Sequence, residues 1–268
     1  MTDARAINAN DRQKEKMDVH FDAIDRLRTI IDNARPGGVV FFGGAGVSTE
    51  SGIPDFRSPS GLYAAQNATR YEYPPEVMVS RSFFDAHPQQ FFEFYFDRMI
   101  FQDASPNACH RKLAELEKRG MLRAVITQNI DGLHQAAGCQ NVQELHGSVH
   151  RNYCTGCRAP FTLEEMLLLH KAASDGVPRC PACDSIVKPD VVLYEEPLDE
   201  SVLTASVHAL ARADILVVAG TSLAVYPAAG LVDHFRGDHL VIVNLSPTPL
   251  DRQADLCITA PVGDVFDW

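Results

Sequence analysis

No stretch of the chain approaches the roughly 18 to 20 uninterrupted apolar residues that a bilayer-crossing helix needs, and the opening segment MTDARAINANDRQKEK lacks the apolar core of a secretory signal. Membrane contact is therefore not expected, and the chain reads as a soluble, cytoplasmic protein. Basic residues are also scarce. Lys and Arg number 24 against 35 Asp and Glu, a formal net charge of -11. Such a surface repels a phosphate backbone unless a basic patch is concentrated locally, so direct nucleic-acid binding is not expected either. Internal repeats and low-complexity tracts are absent.

What the sequence does contain is enough apolar material, 46% of 268 residues, for one main fold with a smaller inserted module. Residues 1–17 form a polar leader into a helix-like run from Phe21 to Ala34. Pro36-Gly37-Gly38 then breaks the chain before Val39-Val40-Phe41-Phe42, an apolar run that ends in Gly43-Gly44-Ala45-Gly46. Similar runs follow at Ala124–Thr127, Ile215–Gly220 and Leu240–Asn244, with helix-compatible stretches such as His110–Arg119 and Ser201–Arg212 beside them. Buried strands alternating with helices predict an α/β fold, a doubly wound, Rossmann-like parallel sheet.

Two segments interrupt that rhythm, an aromatic-rich one over 61–105 and a cysteine-bearing one over 151–185. They are expected to pack together as a small domain, part helical and part zinc ribbon. The larger dinucleotide-binding domain is then assigned 18–60, 106–150 and 186–268.

The cysteines carry a specific signal. Seven is an odd count, and four of them fall in two close pairs, Cys154-x2-Cys157 and Cys180-x2-Cys183. That spacing suits four thiolates on a tetrahedral zinc ion in a reducing compartment better than a secreted disulfide framework. Cys109, Cys139 and Cys257 lie outside the pattern and are expected to be buried apolar residues.

The glycine turn Gly44-Ala45-Gly46 lets backbone approach a pyrophosphate, but Thr49 stands where the usual dinucleotide fingerprint has its third glycine. Read alone, the turn is equally a tight strand-to-helix connection. It continues, however, through GAGVSTESGIPDFRS, and that run resembles the signature of the sirtuin family. The likeness recurs at Thr127–His134 (TQNIDGLH), Leu145–Ser148 (LHGS), Gly220–Leu223 (GTSL) and Val243–Leu245 (VNL), and covers 38 to about 263.

The resemblance implies an NAD-dependent protein-lysine deacetylase that passes the acyl group to ADP-ribose and releases nicotinamide, with acyl-lysine proteins as partners and one structural zinc per chain. It places the catalytic histidine at His146. A neutral imidazole there would accept the proton of a ribose hydroxyl as that hydroxyl attacks the acyl carbon. Asn129 and Asp131 fall on positions that hold the ribose and the nicotinamide amide, with Gln128 and Ile130 completing the pocket. Phe56 matches the aromatic cover over the reactive sugar face. Gly44, Ala45, Gly46, Thr49 and Arg57 are assigned to the phosphates and adjoining ribose, Thr221, Ser222, Asn244 and Leu245 to the adenosine end, and Gly220 and Val262 to the NAD site in general. Pro54 and Asp55 are expected to shape the loop without touching ligand, and His110 and His134 to pack or cap.

Two departures bear on substrate. Many sirtuins have Phe-Gly-Glu where this chain has Tyr194-Glu195-Glu196, in a segment whose Val192 and Tyr194 are expected to meet the substrate peptide as an added strand. The paired glutamates are expected to favour basic residues beside the target lysine. In addition, Tyr95 and Arg98, spaced i and i+3, match a pair that binds acyl carboxylates in sirtuins removing succinyl or malonyl groups. Val79 stands where that subclass has alanine. Deacetylation is the main expectation, with acidic-acyl removal and protein ADP-ribosyl transfer as alternatives.

Overall fold

A computed structural model of the chain describes residues 22–56, 58, 61–62 and 71–268. The leader 1–17 and Arg57 lie outside the described residues.

The four apolar runs are the central strands of one sheet. They form β1 (Val39–Gly43), β2 (Leu122–Thr127), β7 (Ile215–Ala219) and β8 (His239–Val243). Short strands β3 (Val142–Glu144) and β9 (Leu256–Ile258) close the two edges. The order is β3-β2-β1-β7-β8-β9 and every pairing is parallel. A parallel sheet is covered on both faces, which is why its strands are apolar without alternation. Val39 and Phe41 pack on one side, with Ile215, Val217 and Ala219. Val40 and Phe42 pack on the other, with Leu216 and Val218.

The first face is covered by a helix over 22–32 through Leu27 and Ile31, and by the helix Ala108–Lys118 through Cys109, Leu113 and Leu116. The helix Glu200–Leu210 covers the second through Ala209 and Leu210. Asn107 starts Ala108–Lys118 with a capping box in which the third helical residue is His110, so this histidine has a structural role.

A second sheet, antiparallel, has the order β5-β4-β6, from β4 (Gly147–Cys154), β5 (Pro160–Thr162) and β6 (Val187–Val191). Its apolar side shares a cluster with the helices Arg81–Ala86, Pro88–Arg98 and Leu163–Ala172. Phe83, Phe84, Phe91, Phe92 and Tyr95 there meet Val149, Cys154, Met166 and Val187. Fully burying each large side chain of this kind contributes roughly 1.5–3 kcal/mol, so the aromatic segment and the cysteine segment stabilise each other. Cys109 and Cys139 are buried as expected. Cys257 is not: it sits at the centre of edge strand β9 between buried Leu256 and Ile258, and the alternation of side chains along a strand turns it outward. Among the described residues, no helix is long and apolar enough to cross a membrane.

The topology fixes where a ligand would go. The chain winds from β1 outward to β2 and β3, then returns to the other side of β1 for β7, β8 and β9. The strand order therefore reverses between β1 and β7, and in open α/β sheets the crevice outside the carboxyl ends at such a point takes the ligand.

Candidate active site

Nearly every residue assigned to NAD from the sequence lies just beyond the carboxyl end of a parallel strand. Gly44–Thr49 follow β1, Gln128–Asp131 follow β2, His146 follows β3, and Gly220–Ser222 follow β7. Asn244 and Leu245 follow β8, and Val262 lies four residues past β9. Apart from Gly44 and Val47, they line a cavity of about 850 Å³ that also takes in Phe56, Val192, Tyr194 and Arg98.

At the switch point the turns after β1 and β7 touch. Gly46 N–H donates to the Gly220 carbonyl at 2.8 Å, and a Cβ on Gly46 would stand 2.8 Å from Gly220 Cα. Gly44 is equally tight against Thr221, so it supports the cavity wall without lining it. At this contact the chain makes two single 3-10 turns, Ala45–Val47 and Thr49–Ser51, and over 45–56 no α-helix. That accounts for the missing third glycine: the close helix-to-strand packing that requires it does not occur here.

Past β2, Asn129 Nδ2 donates to Ser48 Oγ at 3.0 Å, and Ser48 Oγ donates to Asp131 Oδ2 at 2.7 Å. The other carboxylate oxygen accepts from Leu133 N–H at 2.9 Å. Burial pushes the Asp131 carboxyl up from its ordinary value, while the Leu133 and Ser48 donors pull the other way. Ser48, buried at the join of this chain, received no role from the sequence, although it stands within the glycine-turn signature.

His146 follows β3 and immediately precedes Gly147, whose φ of 75° and place 1.9 Å (as a Cβ) from the Asp190 carbonyl admit only glycine. Its Nδ1 lies 2.9 Å from the Gln128 carbonyl. A carbonyl can only accept, so Nδ1 carries the proton and Nε2 keeps its lone pair. Burial lowers the pKa of this imidazole, with the Gln128 carbonyl opposing, so the neutral form is favoured. Beside it, Thr221 Oγ1 donates to Gln128 Oε1 at 3.3 Å, which leaves Gln128 Nε2 buried without a partner at the cavity wall. An unsatisfied buried donor of this kind fits an absent polar ligand, and with the glycine cradle it makes the cavity suitable for NAD.

Pro54 and Asp55 line the cavity as well. Asp55 nevertheless shapes its loop, accepting from Ser58 N–H through Oδ1 and from Leu62 N–H through its carbonyl. His134 packs its ring 4.7 Å from that of His110, and neither lines the cavity.

On the side away from β1, Val192 N–H donates to the His146 carbonyl, and both backbone groups of Tyr194 are bonded: its N–H to Val79, its carbonyl to Arg81 N–H. Glu195, where many sirtuins have glycine, has a φ of 78°. Its carboxylate offsets that strain by accepting from Ser82 N–H (2.8 Å) and Ser82 Oγ (3.0 Å) at the start of the helix Arg81–Ala86. Glu196 accepts from Arg81, Lys188 and Leu193 N–H. Both carboxylates are thus engaged within the chain, which counters the expectation that they select basic peptides. Tyr95 stacks on Phe91 inside the aromatic cluster and does not reach the cavity, whereas Arg98 and Val79 line it.

The four paired cysteines converge. Their sulfurs lie within 4.8 Å of one another, with Cys154–Cys183 at 3.3 Å and Cys157–Cys180 at 3.7 Å. Zinc–sulfur bonds of about 2.3 Å at tetrahedral angles put sulfurs about 3.8 Å apart, so the cluster fits one zinc ion with no open position. The two knuckles close alike. Arg158 (φ 64°) and Asp184 (φ 58°) follow the second cysteine of each, and their N–H groups donate to the Cys154 and Cys180 carbonyls.

A parallel α/β sheet with a large crevice at its switch point and a four-thiolate module beside it defines a dinucleotide-binding fold with a structural metal. The Sir2 family profile matches residues 44–227, and the chain belongs to that family. It is 54% identical to the NAD-dependent protein deacetylase of Clostridium acetobutylicum over 92% of this chain and 98% of the relative. It is 41% identical to that of Staphylococcus aureus strain MSSA476 over 88% and 93%. Among solved structures, a Sir2 variant with deacetylated p53 peptide and 3'-O-acetyl ADP ribose superposes with a TM-score of 0.80 at 37% identity, covering 90% of this chain and 94% of the other. A Sir2–p53 peptide–NAD+ complex gives 0.78 at 38% identity with the same coverage.

Proposed function

We propose that this chain removes acetyl groups from protein lysines with NAD as co-substrate, passing the acyl group to ADP-ribose and releasing nicotinamide. The observation that carries the reading is the joining, on one cavity wall, of the Asn129–Ser48–Asp131 chain with a neutral His146 whose Nδ1 is already committed. NAD supplies the nicotinamide–ribose bond and the hydroxyl that receives the acyl group, and one water supplies the oxygen that balances release of both nicotinamide and free lysine. His146 Nε2 takes the proton from that hydroxyl. Asn129 and Asp131 hold the ribose and the nicotinamide amide, and Ser48 keeps their side chains in fixed register. The backbone of Ala45 and Gly46 approaches the phosphates with Thr49 beside them, and Arg57 is assigned to meet their charge. Phe56 covers the sugar face and excludes water. Gly220, Thr221, Ser222, Asn244, Leu245 and Val262 receive the adenosine.

The peptide is received along 192–196. Tyr194 has its backbone engaged by Val79 and Arg81, so pairing falls to Glu195, whose N–H and carbonyl take no hydrogen bond from any described residue. The acyl-lysine itself enters between Val192 and His146. The larger unit (18–60, 106–150, 186–268) carries NAD, and the smaller (61–105, 151–185) completes the cleft. Support for that division comes from the separate apolar cluster of the small sheet, which also draws in Val149 and Leu193. Seven free cysteines, four of them grouped on one metal site, suit a reducing, cytoplasmic setting.

Incubation with an acetyl-lysine peptide and NAD, read by mass spectrometry, tests the reading. O-acetyl-ADP-ribose, deacetylated peptide and free nicotinamide are expected in equal amounts. ADP-ribosylated protein without peptide deacetylation would replace this reading with ADP-ribosyl transfer.

Arg98 at the cavity wall favours one further possibility, removal of acidic acyl groups. With Tyr95 buried among aromatics and Val79 narrowing the wall, acetyl-lysine is expected to be the better substrate and succinyl-lysine a poor one. Arg98→Met should then change kcat/KM for both by less than about threefold. A loss confined to succinyl-lysine, on the order of tenfold as when a charge-assisted hydrogen bond is removed, would instead assign Arg98 to an acyl carboxylate.

A further inference from the structure

Lys188 is the one lysine or arginine among the described residues that is buried, at 2% exposure, and it sits on β6 just before the peptide-receiving segment. A buried ammonium is retained only where its donors are met. All three are. Nζ donates to the Pro189 carbonyl at 3.2 Å, the Val191 carbonyl at 2.9 Å and Glu196 Oε2 at 3.1 Å, with the Tyr153 ring on a further side at 5.8 Å. Every one of these acceptors belongs to the strand that becomes the cleft wall or to its far end.

Glu196 completes the tie. It also accepts from Leu193 N–H at 2.9 Å and, through Oε1, from Arg81 Nη1 at 3.1 Å. The segment from Val191 to Glu196 is therefore bent back on itself around one ammonium–carboxylate pair, with the left-handed Glu195 at the bend. We infer that Lys188 is a positioning residue for peptide recognition: paired with Glu196, it fixes the backbone that receives the acyl-lysine peptide, while touching neither peptide nor NAD. The inference rests on the deacetylase reading for the identity of the peptide.

Removing Lys188 takes one donor from each of two carbonyls and one of two counter-charges from Glu196, Arg81 being the other, so the bend loosens where the peptide lies. Contacts made equally in the ground and transition states govern KM and leave kcat alone. Asn129 and Asp131 stand on another element, and the His146 ring, although its own carbonyl accepts from Val192 N–H, is held through Nδ1 by the Gln128 carbonyl, so the catalytic side chains stay in place.

The test combines steady-state kinetics on an acetyl-lysine peptide with anisotropy of the same peptide, fluorescein-labelled, in the absence of NAD. Lys188→Met is expected to raise both the peptide KM and the peptide Kd about tenfold or more, with kcat and the NAD KM within about twofold and zinc content unchanged. Lys188→Arg should recover most of the loss, since a guanidinium keeps the charge and the donors. Should Lys188→Met fail to fold, Glu196→Gln, which keeps shape and removes charge, should give an intermediate rise in peptide Kd. Unchanged peptide binding in the folded variant, or a fall in kcat at constant KM as from a smaller active fraction, would overturn the inference. A parent that binds peptide without turning it over would overturn the deacetylase reading alone, and anisotropy would still decide on Lys188. A parent that binds no acetylated peptide would overturn both.

Discussion

Replacing His146 with alanine is expected to lower turnover of an acetyl-lysine peptide by on the order of 10²–10⁴-fold while NAD affinity stays within a few fold, because a general base acts on a proton and is not the principal contact of the dinucleotide. The geometry supports this separation. The adenosine and phosphate ends of the cavity are built from the turns after β1, β7 and β8, none of which depends on the imidazole for its shape. What the imidazole supplies is one lone pair on Nε2, defined by the commitment of Nδ1 to the Gln128 carbonyl. Protonation removes that lone pair, so activity must fall as pH falls. Burial holds the His146 pKa below the ordinary histidine value of 6.5, and the acid limb of kcat/KM should accordingly lie below that value. The checks are a pH–rate profile of the parent, and calorimetric NAD binding beside peptide turnover for His146→Ala. A variant turning over peptide near the parent rate would remove His146 from the reaction.

The sequence made the large sheet legible because its strands are buried on both faces: continuous runs such as Val39–Phe42 and Ile215–Ala219 have no other comfortable home. It did not reveal β3 and β9, three residues each at the sheet edges, where too few side chains are buried to leave a pattern. The convergence of the site was legible only through the signature motifs. No local rule brings Gly46 to Gly220 or Ser48 to Asn129 and Asp131; the reversal of strand order does, and sequence spacing does not encode it.

Ser48 and Glu195 show two different ways a residue escapes a sequence reading. Ser48 stands within the glycine-turn signature, but its value lies in bridging two side chains more than eighty positions away. Glu195 is a departure whose charge alone suggests a preference for basic residues beside the target lysine. Its backbone explains the departure better: the position needs positive φ, which glycine adopts freely, and glutamate is accommodated because its carboxylate finds Ser82. Tyr95 and Arg98 share helical spacing, yet only Arg98 reaches the cavity. The helix Pro88–Arg98 turns its aromatic stripe, Tyr95 included, into the small domain's core.

Cys154→Ala and Cys180→Ala are each expected to reduce bound zinc from about one per chain toward zero and to lower the melting temperature substantially, since metal binding at such sites is folding free energy, with apparent values of about 10–16 kcal/mol in zinc-finger peptides. These two cysteines are the buried pair of the four, and both belong to the apolar cluster of Phe91, Phe92, Met166 and Val187. Their sulfurs therefore couple the metal directly to the core of the small sheet, whereas Cys157 and Cys183 approach it from the exposed side. Losing the ion leaves the remaining thiols crowded within 4.8 Å with no cation to hold them, at the end of β4 and a few residues before β6. The disorder should spread through β6 to Lys188 and the peptide wall before it reaches the large sheet, whose two faces carry apolar clusters of their own. Peptide turnover should thus be lost at lower chelator exposure than NAD binding. Plasma mass spectrometry for zinc, thermal melts, and peptide and NAD titrations across a chelator series distinguish the steps, with His146→Ala as a control that keeps its zinc. Zinc-free protein with unchanged melting and activity would show that the four sulfurs meet for packing alone.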